Sequence, residues 1–236
     1  MDTFWTFREC TIVFHVKHEG SKKVNVVVAG GRAPAKGWLR AISSQREIYC
    51  ADRGAEYCLS AGHPPTVLVG DGDSADEAAY SKARKLRTRV FLHPQDKEDT
   101  DLQLTLKKIK EGDVLATGVF GGRLDHLFSN IYSLLAFKKK RDCRVALADG
   151  KEYLVLLGAD EKVEIYLEDK EKKPPFVSLL PLSAKCRVNI RGVRWPLNDA
   201  LLTQARPYAI SNEPLSKNFI CSCTSGDVGL YISWLK

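Results

Sequence analysis

No apolar run in the chain approaches the roughly 20 residues that span a bilayer, so a membrane protein is not expected. The first residues, Met1-Asp2-Thr3-Phe4-Trp5 onward, lack the basic stretch and apolar core of a secretory leader, and the expected location is cytoplasmic. A Walker lysine loop is missing, and no GxGxxG follows the first buried-type strand, which removes the two commonest backbone cradles for nucleotide phosphates. The seven cysteines form no CxxC pair and no metal-finger spacing, and their number is odd. They read as reduced core thiols, with Cys221 and Cys223 on one face of a strand. Lys and Arg outnumber Asp and Glu by 36 to 29, giving a net charge of +7, yet the cations are scattered. The one dense cluster at a helix end, Lys138 to Arg141, suits the dipole there. Aromatic residues do not interleave with the cations as a nucleic-acid platform requires, so neither nucleic acid nor a membrane surface is an expected partner.

What is present is a regular alternation. Buried-type strands over Val24 to Ala29, Ile48 to Ala51, Thr66 to Gly70, Arg89 to Leu92 and Val114 to Val119 take turns with helical patterns. The helices are expected over Lys36 to Arg46, Ala75 to Leu86, Asp99 to Lys110 and Leu124 to Phe137, with a short one before Gly62. The last of the long helices is expected to turn Leu124, Leu127, Phe128, Ile131, Leu134 and Leu135 inward. Short connections between such elements predict an α/β fold: a doubly wound, mostly parallel sheet with helices on both faces. From about residue 149 short strand-like runs separated by Gly, Pro, Asp and Asn replace the helical period, predicting an antiparallel β-sandwich. The expected domains are therefore 1–148, α/β, and 149–236, β, with residues 1–20 adding an edge strand or hairpin.

Acidic residues recur at the ends of the α/β strands, where open sheets of this kind bind ligands. Asp71 and Asp73 flank Gly72 directly after Val67-Leu68-Val69-Gly70, and Asp52, Asp96 and Asp99 hold similar junctions. A lone Asp-x-Asp would be explained as a helix-capping turn. Recurrence favours hard oxygen donors for Mg2+, which takes few carboxylates and keeps water and phosphate oxygens in its other positions. Arg123, in Gly121-Gly122-Arg123, stands at a helix start where the dipole disfavours a cation, and with Lys97 it is a candidate for holding phosphate. His126 is a candidate general base or a positioning group; the other histidines show no ligand spacing.

Taken in order, Asp52-Arg53-Gly54-Ala55, Gly70-Asp71-Gly72-Asp73-Ser74, Gln95-Asp96-Lys97-Glu98-Asp99 and Gly122-Arg123-Leu124-Asp125-His126 resemble motifs of the thiamine pyrophosphokinase family. Val177-Ser178-Leu179-Leu180-Pro181-Leu182, Gly192-Val193-Arg194-Trp195-Pro196-Leu197 and Ile210-Ser211-Asn212-Glu213 extend the likeness to the tail. The resemblance implies transfer of diphosphate from ATP to the hydroxyl of thiamine, with Mg2+ as cofactor and a homodimer whose clefts join the α/β domain of one subunit to the β domain of the other. It also implies roles. Asp71, Asp73 and Asp99 would serve the metal and, with Arg123, the chemistry. Asp52, Gln95, Asp96, Lys97, Asp125 and His126 would line the ATP side, and Ser211 and Asn212 would contact thiamine. Trp195 is a candidate to stack on the thiazolium, the alternative being a buried core tryptophan. Arg53 and Gly72 replace a glycine and a phenylalanine of the family pattern. These departures keep open a diphosphotransferase for a different alcohol; the alternative from another class is a non-catalytic nucleotide or thiamine binder, which loss of the carboxylates would favour, and they are present.

Overall fold

The structure, a computed structural model, describes residues 3–15, 23–72, 77–168, 174–206 and 208–235. The chain divides into two compact units, Ser21–Asp149 and Met1–Gly20 with Gly150–Lys236. In chain order the first unit to appear is the β-rich one, which opens with β1 (Thr3–Thr6) and β2 (Cys10–His15). The α/β unit follows as β3 (Val24–Val28), α1 (Lys36–Ser43), β4 (Ile48–Ala51), α2 (Gly54–Ser60), β5 (Val67–Gly70) and α3 (Glu77–Lys85). It continues through β6 (Arg89–Leu92), α4 (Asp101–Leu106), β7 (Asp113–Thr117), α5 (Leu124–Arg141) and β8 (Val145–Ala148).

The strands of the α/β unit pair in parallel in the order β8-β7-β3-β4-β5-β6. Their runs of Val, Leu, Ile and Ala are buried on both faces, as a parallel sheet between helices requires. From β3 the chain steps outward to β6, then returns to place β7 on the other side of β3. Right-handed crossovers consequently put α1, α2 and α3 on one face and α4 and α5 on the other. This matches the contacts of α2 with α1 and α3, and of α4 with α5. The reversal between β3 and β7 creates the crevice at which such sheets bind ligands.

A buried ion pair fixes the far end of the same strands. Asp113 Oδ2 lies 3.1 Å from Arg144 Nη1, and Asp113 Oδ1 accepts the Arg144 N–H at 2.9 Å. Burial raises the Asp113 pKa in spite of its partner, so the carboxylate depends on Arg144 to remain charged. Removing one member of such a pair costs about 3–5 kcal/mol.

The β-rich unit resumes with β9 (Glu152–Leu157), β10 (Glu161–Leu167), β11 (Phe176–Pro181), β12 (Lys185–Arg191), β13 (Leu197–Thr203), β14 (Asn218–Ser225) and β15 (Val228–Ser233). Antiparallel pairing gives one set in the order β1-β2-β10-β14-β12-β13 and another in the order β11-β15-β9. Period-two burial of Cys186, Val188 and Ile190 on β12 and of Phe219, Cys221 and Cys223 on β14 fills the interior. Tyr153 packs edge-on against Phe7 and Trp234, with ring centroids 5.1 and 5.8 Å away.

The fold class is the expected one, with four corrections of detail. Residues 3–15 form the expected edge hairpin but do not join the α/β domain: β2 pairs with β10 from Cys10↔Leu167 to His15↔Lys162, and Trp5 is buried in that unit. A sixth parallel strand, β8, and the exposed strand β13 carry no clean periodicity and were not expected. Helix α4 is shorter than its apolar spacing suggested: Thr100 caps it at Asp101, and it ends at Leu106 with Lys107 as its C-cap. On α5, Leu124 and Phe128 point outward, 68% and 52% exposed, while Leu134 and Leu135 face the core. All seven cysteines are free, six of them buried. Among the described residues no helix is long and apolar enough to cross a membrane.

Candidate active site

A cavity of about 720 Å3 opens at the reversal point, at the carboxyl ends of the parallel strands. Its floor is backbone. Beyond the strand ends the β3–β7 pairing is prolonged by Gly31 N–H to Gly118 O and Arg32 N–H to Phe120 O, both 2.6 Å. A Cβ at Gly31 would stand 2.6 Å from Gly118 O and 2.7 Å from Phe120 O, so any side chain there forces the two loops apart. Arg32 is held in turn by the buried carboxylate of Asp149, with Nε to Oδ2 at 2.7 Å.

Each wall comes from one strand tip. After β4, Asp52 adopts φ 47°, a left-handed conformation that Asp tolerates, and donates its N–H to Val69 O at 2.7 Å. That places its side chain at the cavity edge while its carbonyl accepts the Ala55 N–H and starts α2. Asp71, directly after β5, is 14% exposed, and its Oδ2 is 3.9 Å from Lys97 Nζ. Lys97 Nζ also lies 2.8 Å from Asp101 Oδ1. Asp101 is a lining residue that sequence reasoning passed over. The signal was present: Thr100 and Gln103 form a capping box, which makes residue 101 the first of α4 and sets it at the helix mouth.

Asp99 and Gln95 line the same wall, and Asp99 is bound to Lys107 Nζ. Asp96 is exposed and does not line the cavity. Asp73, with Ser74, lies outside the described residues. On the opposite wall Arg123, in extended conformation at the start of α5, makes a two-pronged contact with Asp125, Nε to Oδ1 at 3.1 Å and Nη2 to Oδ2 at 2.6 Å. Asp125 Oδ1 also accepts the His126 N–H at 2.9 Å. The cation at the wrong end of the helix thus has an acid of its own two residues on. That hydrogen bond lowers the Asp125 pKa and raises that of Arg123. His126 is exposed at the cavity rim.

For Mg2+ the donor set is chemically apt. Asp52, Asp71, Asp99 and Asp101 offer hard oxygens to one cavity. Among the described residues no three acidic, His or Cys side chains form a metal cage. Mg2+ does not need one, since it is commonly held by one or two carboxylates together with substrate phosphates and water.

Ser211 and Asn212 belong to the β-rich unit. Ser211 has φ 58° and gives its N–H to Ser178 Oγ at 2.9 Å. Asn212 exchanges two 2.8 Å backbone bonds with Val177, while its Oδ1 accepts from the Trp195 and Glu213 N–H groups. Its Nδ2 donates to Trp195 O at 2.7 Å. Asn212 therefore shapes the loop that carries Trp195. Trp195 is 54% exposed with the Arg194 guanidinium 5.0 Å from its ring, so it is not a core tryptophan.

Two family models match the chain: "Thiamin pyrophosphokinase, catalytic domain" over residues 39–147 and "Thiamin pyrophosphokinase, vitamin B1 binding domain" over residues 162–226. The thiamine pyrophosphokinase of Bacillus subtilis (strain 168) is 28% identical over 197 residues, covering 81% of this chain and 89% of that one. A crystal structure of thiamine pyrophosphokinase from Bacillus subtilis matches with a TM-score of 0.74 at 26% identity, over 90% of this chain and 99% of that one. The yeast thiamin pyrophosphokinase structure shares the fold at 15% identity, with a TM-score of 0.72 over 92% of this chain and 88% of that one.

The Arg123–Asp125 contact sets a pH expectation. With its pKa depressed, Asp125 keeps the pair intact above the ordinary carboxylate range and releases it as pH falls through the lowered value. A carboxyl-carbon NMR titration should find Asp125 below the usual carboxylate value in the native chain and closer to it in Arg123→Gln. An identical midpoint in the two proteins would show that Arg123 does not hold this acid.

Proposed function

The chain belongs to the thiamin pyrophosphokinase family, whose reaction moves diphosphate from ATP to the hydroxyl of thiamine, and we propose that its α/β cavity seats ATP in that reaction. The observation that carries this reading is the convergence of five strand tips, bearing Gly31, Asp52, Asp71, Asp99 and Gly122, on one cavity. The relatives give no ground for a different alcohol or for a silent binder, since the matching models and proteins carry the one activity in their names.

The thiamine hydroxyl oxygen attacks the β-phosphorus of ATP, the bond from that phosphorus to the α,β-bridging oxygen breaks, and AMP leaves. Little covalent work falls to the protein; positioning and charge compensation do most of it. The polyphosphate lies against the backbone at Gly31 and Gly122, where no side chain intervenes. Lys97 and Arg123 exchange their carboxylate partners for phosphate oxygens. Asp71 with Asp52, Asp73 or Asp99 would hold Mg2+, which would supply neutralisation of phosphate charge. Asp125 becomes available to the nucleotide once Arg123 turns away, and Gln95 and His126 border the same side. In the β-rich unit Ser211 and Asn212 present the thiamine site, with the exposed ring of Trp195 as the surface for the thiazolium.

We place the protein in the cytoplasm, where ATP is abundant and seven unpaired thiols remain reduced. A homodimer is the expected assembly. Leu124, Phe128 and Tyr132, at i, i+4 and i+8 on α5, form an exposed apolar stripe in which the Phe128 and Tyr132 rings stack 6.4 Å apart. A contiguous stripe of this kind, rather than scattered apolar residues, marks a contact surface; a second copy of the chain is its proposed occupant.

Incubation with ATP, Mg2+ and thiamine should yield AMP and thiamine diphosphate, and Asp71→Asn should lower turnover on the order of 10²-fold or more with an unchanged melting curve. Formation of ADP, or full turnover by Asp71→Asn, would refute the site as drawn. Sedimentation equilibrium should give twice the chain mass, falling to one chain in Phe128→Glu; a dimer indifferent to that charge would move the interface elsewhere.

A further inference from the structure

Behind the cavity, not in its lining, stands Tyr80 of α3, only 4% exposed. Its hydroxyl occupies the space over Gly70 that a side chain would need: a Cβ on Gly70 would lie 2.2 Å from the Tyr80 oxygen and 3.3 Å from Asp52 Oδ1. The phenol oxygen and the Asp52 carboxylate thus both lie near one α-carbon at the tip of β5. Burial raises the Tyr80 pKa, and the negative charges of Asp52, Asp101 and Asp71, in that order, raise it further. A tyrosine phenol is in any case protonated near neutral pH and keeps an O–H to donate.

That proton has no acceptor among the described residues. The Gly72 N–H is near enough to favour negative charge on the phenol oxygen but falls short of hydrogen-bond geometry, and as a donor it leaves the O–H proton unclaimed in any case. A buried donor without a partner costs about 1–3 kcal/mol. Phenylalanine would fill the same space without that cost, so packing alone does not account for a hydroxyl at this point.

We propose that Tyr80 is a positioning residue that donates a hydrogen bond to the carboxylate cluster of Asp52, Asp71 and Asp101 when cation and polyphosphate are bound, fixing the orientation in which those acids meet the cation. The inference rests on the ATP-seat reading above. In the ligand-free chain Lys97 draws Asp101, and more distantly Asp71, toward itself. Once phosphate engages Lys97, these acids need another donor to hold them, and the waiting phenol proton is placed to serve.

Groups that orient metal-binding carboxylates are typically worth 10- to 100-fold in metal affinity. The test is Tyr80→Phe, with Mg2+ titrated calorimetrically into protein carrying α,β-methylene-ATP, alongside thermal melting without ligands. The expected result is a Mg2+ dissociation constant raised about 10- to 100-fold, with a melting temperature equal to or above that of the native chain, because an unsatisfied buried hydroxyl has gone. Unchanged Mg2+ affinity overturns the proposal, as does a lower melting temperature with unchanged affinity, which would make the hydroxyl purely structural. If the native chain itself binds no Mg2+ with this nucleotide, the ATP-seat reading has failed, and the Tyr80 role falls with it.

Discussion

The site depends on how closely two backbones lie side by side where the parallel sheet reverses. Strands β3 and β7 are followed by crossovers that run in opposite directions, to β4 and to β8, so their outgoing loops have no helix between them and continue to pair with each other. The hydrogen bonds from Gly31 to Gly118 O and from Arg32 to Phe120 O need an approach that a Cβ at position 31 forbids. In the proposed reading this seam takes the place of a Walker loop: the exposed backbone of two adjoining turns stands where a single glycine-rich loop would otherwise be. The neighbouring strands need only deliver side chains to its rim.

Those side chains are largely matched with one another before any ligand arrives. Arg123 holds Asp125, Lys97 lies between Asp71 and Asp101, and Lys107 holds Asp99. Acids and bases in alternation keep a cavity rich in charge from repelling itself. The same arrangement suits a metal polyphosphate, whose anionic oxygens take over the cations while its cation takes over the carboxylates. Exposed pairs such as Arg123–Asp125 contribute little stability, so exchanging them costs little. The half-buried Lys97 is the more committed partner, and its release is the step at which a donor such as Tyr80 matters.

Much of this was legible in the sequence because α/β folds are written in local periodicity. β4 and β6 fall where their apolar runs predicted, and α5 begins at Leu124 as expected. The acids at the strand tips were readable for the same reason, since a strand's end fixes where the next residue stands. Three things were not readable. The allegiance of residues 3–15 depends on pairing with β10, some 150 positions further on, a distance at which spacing carries no information. The outward face of α5 looks like core because the exposed Leu124, Phe128 and Tyr132 are as apolar as core residues, and spacing alone does not show which way a stripe turns. Nothing in the helical spacing marks Tyr80, since only its placement over Gly70 shows what its hydroxyl faces.

The most direct test of a nucleotide seat at the reversal point is amide hydrogen exchange with and without an ATP analogue and Mg2+. Protection is expected at residues 30–32, 52–54, 95–101 and 119–126, the loops that line the cavity, with the far strand ends around Asp113 and Arg144 unchanged. Protection centred on any other part of the α/β unit, with these loops unaffected, would contradict the placement of ATP at this edge of the sheet.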